Sequence, residues 1–366
     1  MRIIYNYIFK ELITPFIFGV GAFVGIFIGT DLLISLAHFY TEWGIDIFTL
    51  AKLFFLRLPS IIVMSFPMAT LLAVIMCYSR LSGDSEVTAL RAGGISIYKL
   101  VIPALVVGLI MSMVTIGINE ILVPKSNFIY DKILTDFRNQ GQDKLKTQYH
   151  LYRNPIDKET GPPDYILYAH KFIGETGIMK DIYLQDFKKG QPTTVIQAPR
   201  GKWAEESWVF YNGSIYHLKE GERIPALTFK KFKVPQIKDS PEHISNMNKQ
   251  VEDMNLKELY SYIKSKARQG QNTAEEWIKW HQRLSIPFAN FIFALLAAPL
   301  GIKPRRSSGS AMGMGLSIII IFIYYILMMI GNALGGEGTI YPWLGAWLQN
   351  IVFLLVGGVL LYRVNS

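Results

Sequence analysis

Six apolar runs, each long enough to cross a bilayer, leave this chain few folds to choose from. About 20 apolar residues in a helix span the roughly 30 Å of hydrocarbon, and within lipid each backbone N–H and C=O must be satisfied by the chain itself. The runs fall at about 12–37, 53–79 and 97–123, and again at about 284–302, 309–333 and 341–362, with a long polar section between the two sets. With 51% hydrophobic and only 18% charged residues, this is a polytopic membrane protein and not an ordinary globular enzyme. The net charge of +9 does not point to nucleic acid, because Lys and Arg are spread over the loops and no nucleic-acid module pattern is present. The lone cysteine, Cys77, sits inside an apolar run, which excludes a disulfide framework and a thiolate metal site.

Ahead of the first run, Ile3, Ile4, Tyr7, Ile8 and Glu11 stand at helical spacing beside Arg2 and Lys10, the pattern of a helix lying in the membrane interface over residues 2–11. No small-residue cleavage site follows the first run, so it is read as a retained span. Gly19, Gly21, Gly25 and Gly29 give that span a face on which another helix or a lipid-like ligand can come close. The ends carrying Arg2, Lys10, Arg80, Arg91, Lys99, Lys303, Arg305, Arg306 and Arg363 outweigh the opposite loops in positive charge, and are expected on the cytoplasmic side. This places Ser82–Ser96 and the KPRRSSG turn inside the cell, and the section from about 125 to 280 outside the inner leaflet.

That outer section reads mostly as strand. YILYAHKF, DIYLQDF, TTVIQA, SWVFY, SIYHL and ALTFKKFKV alternate apolar and polar residues, are rich in Tyr, Phe, Val and Ile, and are separated by Gly, Pro and Asp. An antiparallel sandwich or open barrel is expected, with Asn212-Gly213 as a two-residue hairpin turn. From about Asn255 the period becomes helical, suggesting a stalk that returns the chain to the membrane. The expected division is 1–124 for the interfacial helix and first three spans, 125–254 for the β domain, and 255–366 for the stalk and last three spans.

Between the second and third runs lies SGDSEVTALRAGGIS, Ser82–Ser96. Ser82 can cap a helix, Asp84 and Glu86 suit its first turn, Arg91 its last, and Gly93-Gly94 its left-handed stop. A helix over about 82–94 is marginal alone and must rest on its own bundle or on a partner. It fits either a plain connector or a docking handle.

Catalytic signatures are missing: the chain has no GxxxxGK[ST] phosphate loop, HExxH pair or GxSxG elbow. Asp31, Arg57 and Glu120 lie near the outer ends of their spans, and no chain of deep carboxylates marks a proton path. Three readings stay open: a permease driven by a separate ATPase, an ion-coupled secondary transporter of a lipid or envelope precursor working through Asp31 and Glu120, and a membrane-anchored envelope scaffold.

Tyr7-Ile8-Phe9-Lys10-Glu11, Phe66-Pro67-Met68-Ala69, Ser85-Glu86 followed by Gly94-Ile95-Ser96, and Asn119-Glu120 with Pro124 stand in this order along a plan of three spans, domain, three spans. In these motifs and their spacing the chain resembles the LptF/LptG (YjgP/YjgQ) family of lipopolysaccharide export permeases. It implies a multi-pass protein of the bacterial inner membrane with six transmembrane helices and an inserted all-β, jellyroll-like periplasmic domain. It further implies pairing with a second LptF/LptG-type chain, with an LptB-type ATPase dimer and with LptC/LptA-type jellyroll bridge proteins. Catalytic residues, metal and cofactor are expected to be absent from this chain, ATP and Mg being used by the partner ATPase. By motif position, Glu86 is the carboxylate that enters the ATPase, with Ser85, Val87, Leu90 and Arg91 shaping the contact. The candidate substrate-cavity residues are Asp31, His38, Lys52, Arg57 and Glu120. The family's Lys or Arg towards the outer end of span one is replaced here by Asp31 and His38.

Overall fold

The computed structural model describes residues 2–140, 150–154, 165–173, 177–188, 191–204, 207–219, 222–234, 237, 241, 251–268, 271–302 and 310–365. The KPRRSSG turn at 303–309 lies outside the described residues. The chain divides into two compact units, Met1–Ile133 with Ala274–Ser366, and Leu134–Thr273.

The first unit holds the six apolar helices. Helices α1 (Arg2–Phe27) and α2 (Leu33–Trp43) form one rod through a π turn at Ile28–Leu32. In the widened turn the Thr30 hydroxyl donates to the Ile26 carbonyl at 2.8 Å. At 1.5 Å per residue the rod is about 63 Å long, twice the hydrocarbon thickness. The interfacial helix expected at 2–11 is therefore not a separate element but the opening turns of α1. Pro15 forfeits one backbone bond inside α1 without ending it.

Gly44 stops α2 in the left-handed conformation, at φ 63°. Asp46 then caps α3 (Ile47–Gly83), its carboxylate accepting from the Thr49 N–H at 3.0 Å and the Thr49 hydroxyl at 2.7 Å. These two bonds, the hydroxyl's first, hold the Asp46 pKa below the ordinary carboxylate value. After the short α4 (Glu86–Ala92) come α5 (Ile97–Ile121) and α6 (Val123–Gln140). Helix persists past Pro124, where a stop was expected, because a proline just inside a helix start removes only a donor that had no partner.

Residues 274–283, expected as the end of the stalk, are continuous with the fourth span in α8 (Ala274–Ile302), which is followed by α9 (Ser310–Gly336) and α10 (Pro342–Asn365). Helices α3 and α8 bury most of their apolar windows, whereas α1, α5, α9 and α10 leave most of theirs facing outwards. The core joins Leu71, Ile75 and Tyr78 of α3, Leu100 and Ala104 of α5, and Phe293 and Ala297 of α8 to Tyr324 of α9 and Phe353 of α10. Buried Asn290 of α8 ties three helices: its amide donates to Thr115 Oγ1 of α5 at 3.2 Å, and its oxygen accepts from Thr70 Oγ1 of α3 at 2.8 Å. Of the four glycines singled out on the first span, only Gly19 packs closely, a Cβ there falling 3.0 Å from Ala69 Cα; Gly21 and Gly25 of α1 and Gly29 of the π turn face open space.

The second unit is all-β apart from short helical pieces and α7 (Leu256–Arg268). Asn255 and Glu258 cap α7 reciprocally, Oδ1 accepting from the Glu258 N–H at 2.8 Å and Oε2 from the Asn255 N–H at 3.0 Å. By its contacts α7 groups with the inserted unit rather than with the last three spans.

Strands β1 (His150–Asn154), β2 (Tyr165–Ile173), β3 (Ile178–Lys188), β4 (Gln191–Ala204), β5 (Ser207–Lys219) and β6 (Glu222–Val234) pair antiparallel in sequence order. The sheet is a meander, and among the described strands none crosses over. One face carries Leu167, Leu184, Ile196, Trp208 and Phe210, packed with Val234 and Ile237.

A seam crosses this sheet. The ladder skips His170 and Asp181, then Pro199, then Asn212 and Lys230, all at one level. Asp181 and Asn212 adopt positive φ there, 50° and 54°. On β5 the apolar cluster takes Trp208 and Phe210 before the seam and Ile215 after it, an odd step between Phe210 and Ile215, so the alternation slips by one at the seam while the apolar face stays the same. The hairpin expected at Asn212-Gly213 is thus absent. The left-handed tolerance of Asn is used instead to reset the alternation within one continuous strand, Ser207–Lys219. Pro199 sits in an interior strand because the unpaired seam asks no N–H of it.

Candidate coupling site

Helix α4 is seven residues long, too short to hold itself. The helix expected over 82–94 starts only at Glu86: Ser82, the expected N-cap, lies in the last turn of α3, and Ser85, which precedes α4 at φ 61°, makes no side-chain cap. Packing does part of the work: Val87 is buried and Leu90 lies against the bundle core. Polar bonds do the rest. The Tyr7 hydroxyl donates to Glu86 Oε1 at 3.0 Å, Arg80 Nη2 reaches the same hydroxyl at 3.5 Å, and Arg80 pairs with Glu11 at 2.5 Å. The Ser82 hydroxyl donates to the Ile302 carbonyl of α8 at 2.8 Å, and the Tyr78 hydroxyl to the Leu100 carbonyl of α5 at 2.5 Å. The turn and the last turns of α3 that lead into it are therefore bonded to α1, α5 and α8.

Of the residues the sequence singled out here, Val87 and Leu90 face the bundle, Glu86 is half-buried against Tyr7, and Ser85 and Arg91 are exposed. Sequence reasoning missed Tyr7, Glu11 and Arg80 as members of the site. The i, i+4 spacing of Tyr7 and Glu11 was the available signal, but the spacing does not name the partner 79 residues away.

The five expected cavity residues do not form one cluster. Arg57 lies over the Tyr130 ring of α6, 5.5 Å from its centroid, and Asp31 acts on the same phenol electrostatically. His38 faces Glu42 one turn on, at 3.1 Å, on the exposed side of α2. Lys52 is exposed and Glu120 half-buried near the end of α5.

Six bilayer-length helices around a buried core, an inserted all-β unit and a short helix held against the end of the bundle define a polytopic membrane protein with a β domain. The family model of the lipopolysaccharide export system permease LptF/LptG matches residues 6–363, and the chain belongs to this family. The chain is similar to the lipopolysaccharide export system permease protein LptF of Escherichia coli K12, 21% identical over 324 residues, covering 83% of this chain and 80% of the relative. The LptF of Shigella flexneri matches to the same extent. An uncharacterized protein of Rickettsia prowazekii is 22% identical over 313 residues, covering 82% of each chain.

Proposed function

We propose that the chain is one permease half of an ATP-driven exporter that extracts lipopolysaccharide from the inner membrane, and that the Ser82–Ser96 turn is where the driving motion enters. The observation that supports this is the attachment of the turn: Glu86 to Tyr7 of α1, Arg80 to Glu11 of α1, and Ser82 to the last turn of α8. A helix fixed in this way passes a rigid-body displacement to several spans together, whereas a floppy loop would absorb it. The motor is a separate LptB-type ATPase dimer that holds ATP and Mg; this chain, without a phosphate loop, serves as its transport subunit. Glu86 and Arg91 present the polar contact, with Ser85 at its edge and Val87 and Leu90 carrying the load into the bundle.

A second LptF/LptG-type chain faces the first, and closure of the ATPase pair narrows the cavity between them and pushes the lipid outwards. Asp31, His38, Lys52, Arg57 and Glu120 would stand on the cavity side of that passage. The β unit, on the periplasmic side, receives the acyl chains against its apolar face and passes them to an LptC/LptA-type bridge. The meander supports such a hand-off, since β1 and β6 are the outermost of the described strands and an edge strand can add a neighbour by main-chain pairing.

The test is co-purification from detergent. The wild type should bring down a nucleotide-binding subunit and a second permease, and Glu86→Lys should lose the ATPase while staying inserted. A normal complex with normal transport in both Glu86→Ala and Glu86→Lys would refute the coupling role.

A further inference from the structure

The polar face of the β sheet is sorted by charge in a way the apolar face does not require. Beyond the seam, one cross-strand row reads Lys180, Arg200, Tyr211, Lys231, each residue directly opposite the next, and the following row reads Ile178, Lys202, Val209, Lys233. These eight positions hold five cations and no acid. Lys180, Arg200, Lys202, Lys231 and Lys233 are all exposed. Like charges directly opposite each other weaken a strand pair, so Lys180 beside Arg200 costs the sheet stability that an anionic ligand would return.

On the near side of the seam another row reads Tyr168, Tyr183, Gln197, Ser214. These residues, with Asp181, Pro199 and Asn212, line an open crease of about 430 Å³, within the range of roughly 300–1,000 Å³ typical of small-molecule sites. Two tyrosines and a set of amide, hydroxyl and carboxylate groups offer aromatic surface together with donors and acceptors, the chemistry that suits a sugar ring. The cations stand immediately across the seam.

We propose that this face binds an anionic oligosaccharide, with the sugar rings in the crease beside Tyr168, Tyr183 and Asn212 and the phosphate or carboxylate groups on Lys180, Arg200 and Lys231. The reading rests on the export function proposed above, which makes the sugar portion of lipopolysaccharide the natural ligand. An anionic membrane surface would also meet the charge, but it calls for large exposed apolar side chains among the cations, where Val209 is buried and Ile178 half-buried. The large apolar side chains that β2–β6 expose, Ile224 and Leu227, lie away from these rows.

The experiment uses the full chain in phosphatidylcholine nanodiscs and three probes: the lipopolysaccharide oligosaccharide freed of its acyl chains with phosphates retained, the same oligosaccharide dephosphorylated, and vesicles rich in phosphatidylglycerol. The phosphorylated oligosaccharide should bind, more weakly as salt rises. Lys180→Ser with Arg200→Ser and Lys231→Ser should weaken it by about tenfold or more. Lys180→Arg with Lys231→Arg should retain binding, and Tyr168→Ala with Tyr183→Ala should weaken both oligosaccharides alike. All substitutions are on the sheet's exposed or half-exposed face, and circular dichroism checks the fold. The proposal is overturned if the phosphorylated oligosaccharide does not bind, if the triple serine variant binds it equally well, or if the vesicles bind and the oligosaccharide does not. ATPase co-purification is read in parallel and should be unchanged in the triple variant, so failure of the sugar site and failure of the coupling site give different results.

Discussion

The Tyr7 hydroxyl donates a hydrogen bond to Glu86 at 3.0 Å, tying the second turn of the first helix to the short helix that carries the proposed coupling carboxylate. The bond fixes the direction of a side chain on an element that has neither length nor a cap to fix it. Arg80 completes the link by reaching both the Tyr7 oxygen and Glu11.

If Tyr7 acts through Glu86, the two substitutions are coupled. Tyr7→Phe removes only the hydroxyl, and at an exposed site water replaces part of the lost bond, so its local cost is at the low end of about 0.5–1.5 kcal/mol. ATPase co-purification by Tyr7→Phe should fall between wild type and Glu86→Gln. The double variant should be no weaker than Glu86→Gln alone, because the interaction can be lost only once. Strictly additive losses in this cycle would show that Tyr7 and Glu86 work separately.

Asn290 carries the polar load of the bundle interior. It is fully buried and bonded to Thr70, Thr115 and the Pro287 carbonyl, so α3, α5 and α8 share one satisfied cluster. Interhelical bonds of this kind average about 0.6 kcal/mol in membrane proteins and reach about 1.7. Asn290→Ala removes two of them and leaves a void, and should lower stability in detergent by roughly 1–3 kcal/mol. Thermal unfolding followed by intrinsic fluorescence measures this; an unchanged midpoint would mean that the cluster contributes no stability.

Asp46 gives the fold an acid-sensitive point outside the spans. Its pKa is lowered in the folded chain by the Thr49 hydroxyl and N–H, so its contribution is fully present above the unfolded carboxylate pKa of about 3.9 and is lost as pH falls through the lower folded value. The stability difference between wild type and Asp46→Ala should therefore be present at pH 7 and shrink in strong acid. A difference that stays constant down to pH 2 would assign the effect to something other than the carboxylate charge.

The sequence reveals the spans because lipid demands an unbroken apolar stretch. It cannot set their ends, since Arg2–Lys10 and residues 274–283 are polar enough for water yet stay helical where α1 and α8 project beyond the hydrocarbon. Strands were legible from alternation, and the seam was not. Asn212-Gly213 has the same left-handed preference in a turn as in a reset of the alternation, and only pairing to β4 and β6 on both sides of it decides between them. At the coupling turn Glu86 could be singled out, but its holder could not, because Tyr7 is distant in sequence and adjacent only once α1 lies beside α3. The cationic rows were hidden for the same reason: Lys180, Arg200 and Lys231 are far apart until register aligns them.

Gly213 tests the seam most directly. A Cβ there would collide with the Gln197 carbonyl and the Phe229 ring, both on neighbouring strands, so Gly213→Val must push β5 away from β4 and β6. Overpacking of this kind costs about 1–3 kcal/mol. Asn212→Val acts through the backbone instead, placing a β-branched residue at φ 54°, a left-handed conformation that costs an ordinary L-residue roughly 1–2 kcal/mol. Asn212→Gly should be tolerated, because glycine adopts that conformation freely. Limited proteolysis of the inserted unit in the full chain ranks the three: rapid cleavage for Gly213→Val and Asn212→Val, near wild-type resistance for Asn212→Gly. If Asn212 were instead the corner of a flexible hairpin, Asn212→Val and Gly213→Val would leave resistance close to wild type. The stacked seam requires both to open the sheet, since each disturbs the level at which β3, β4, β5 and β6 all change their alternation together.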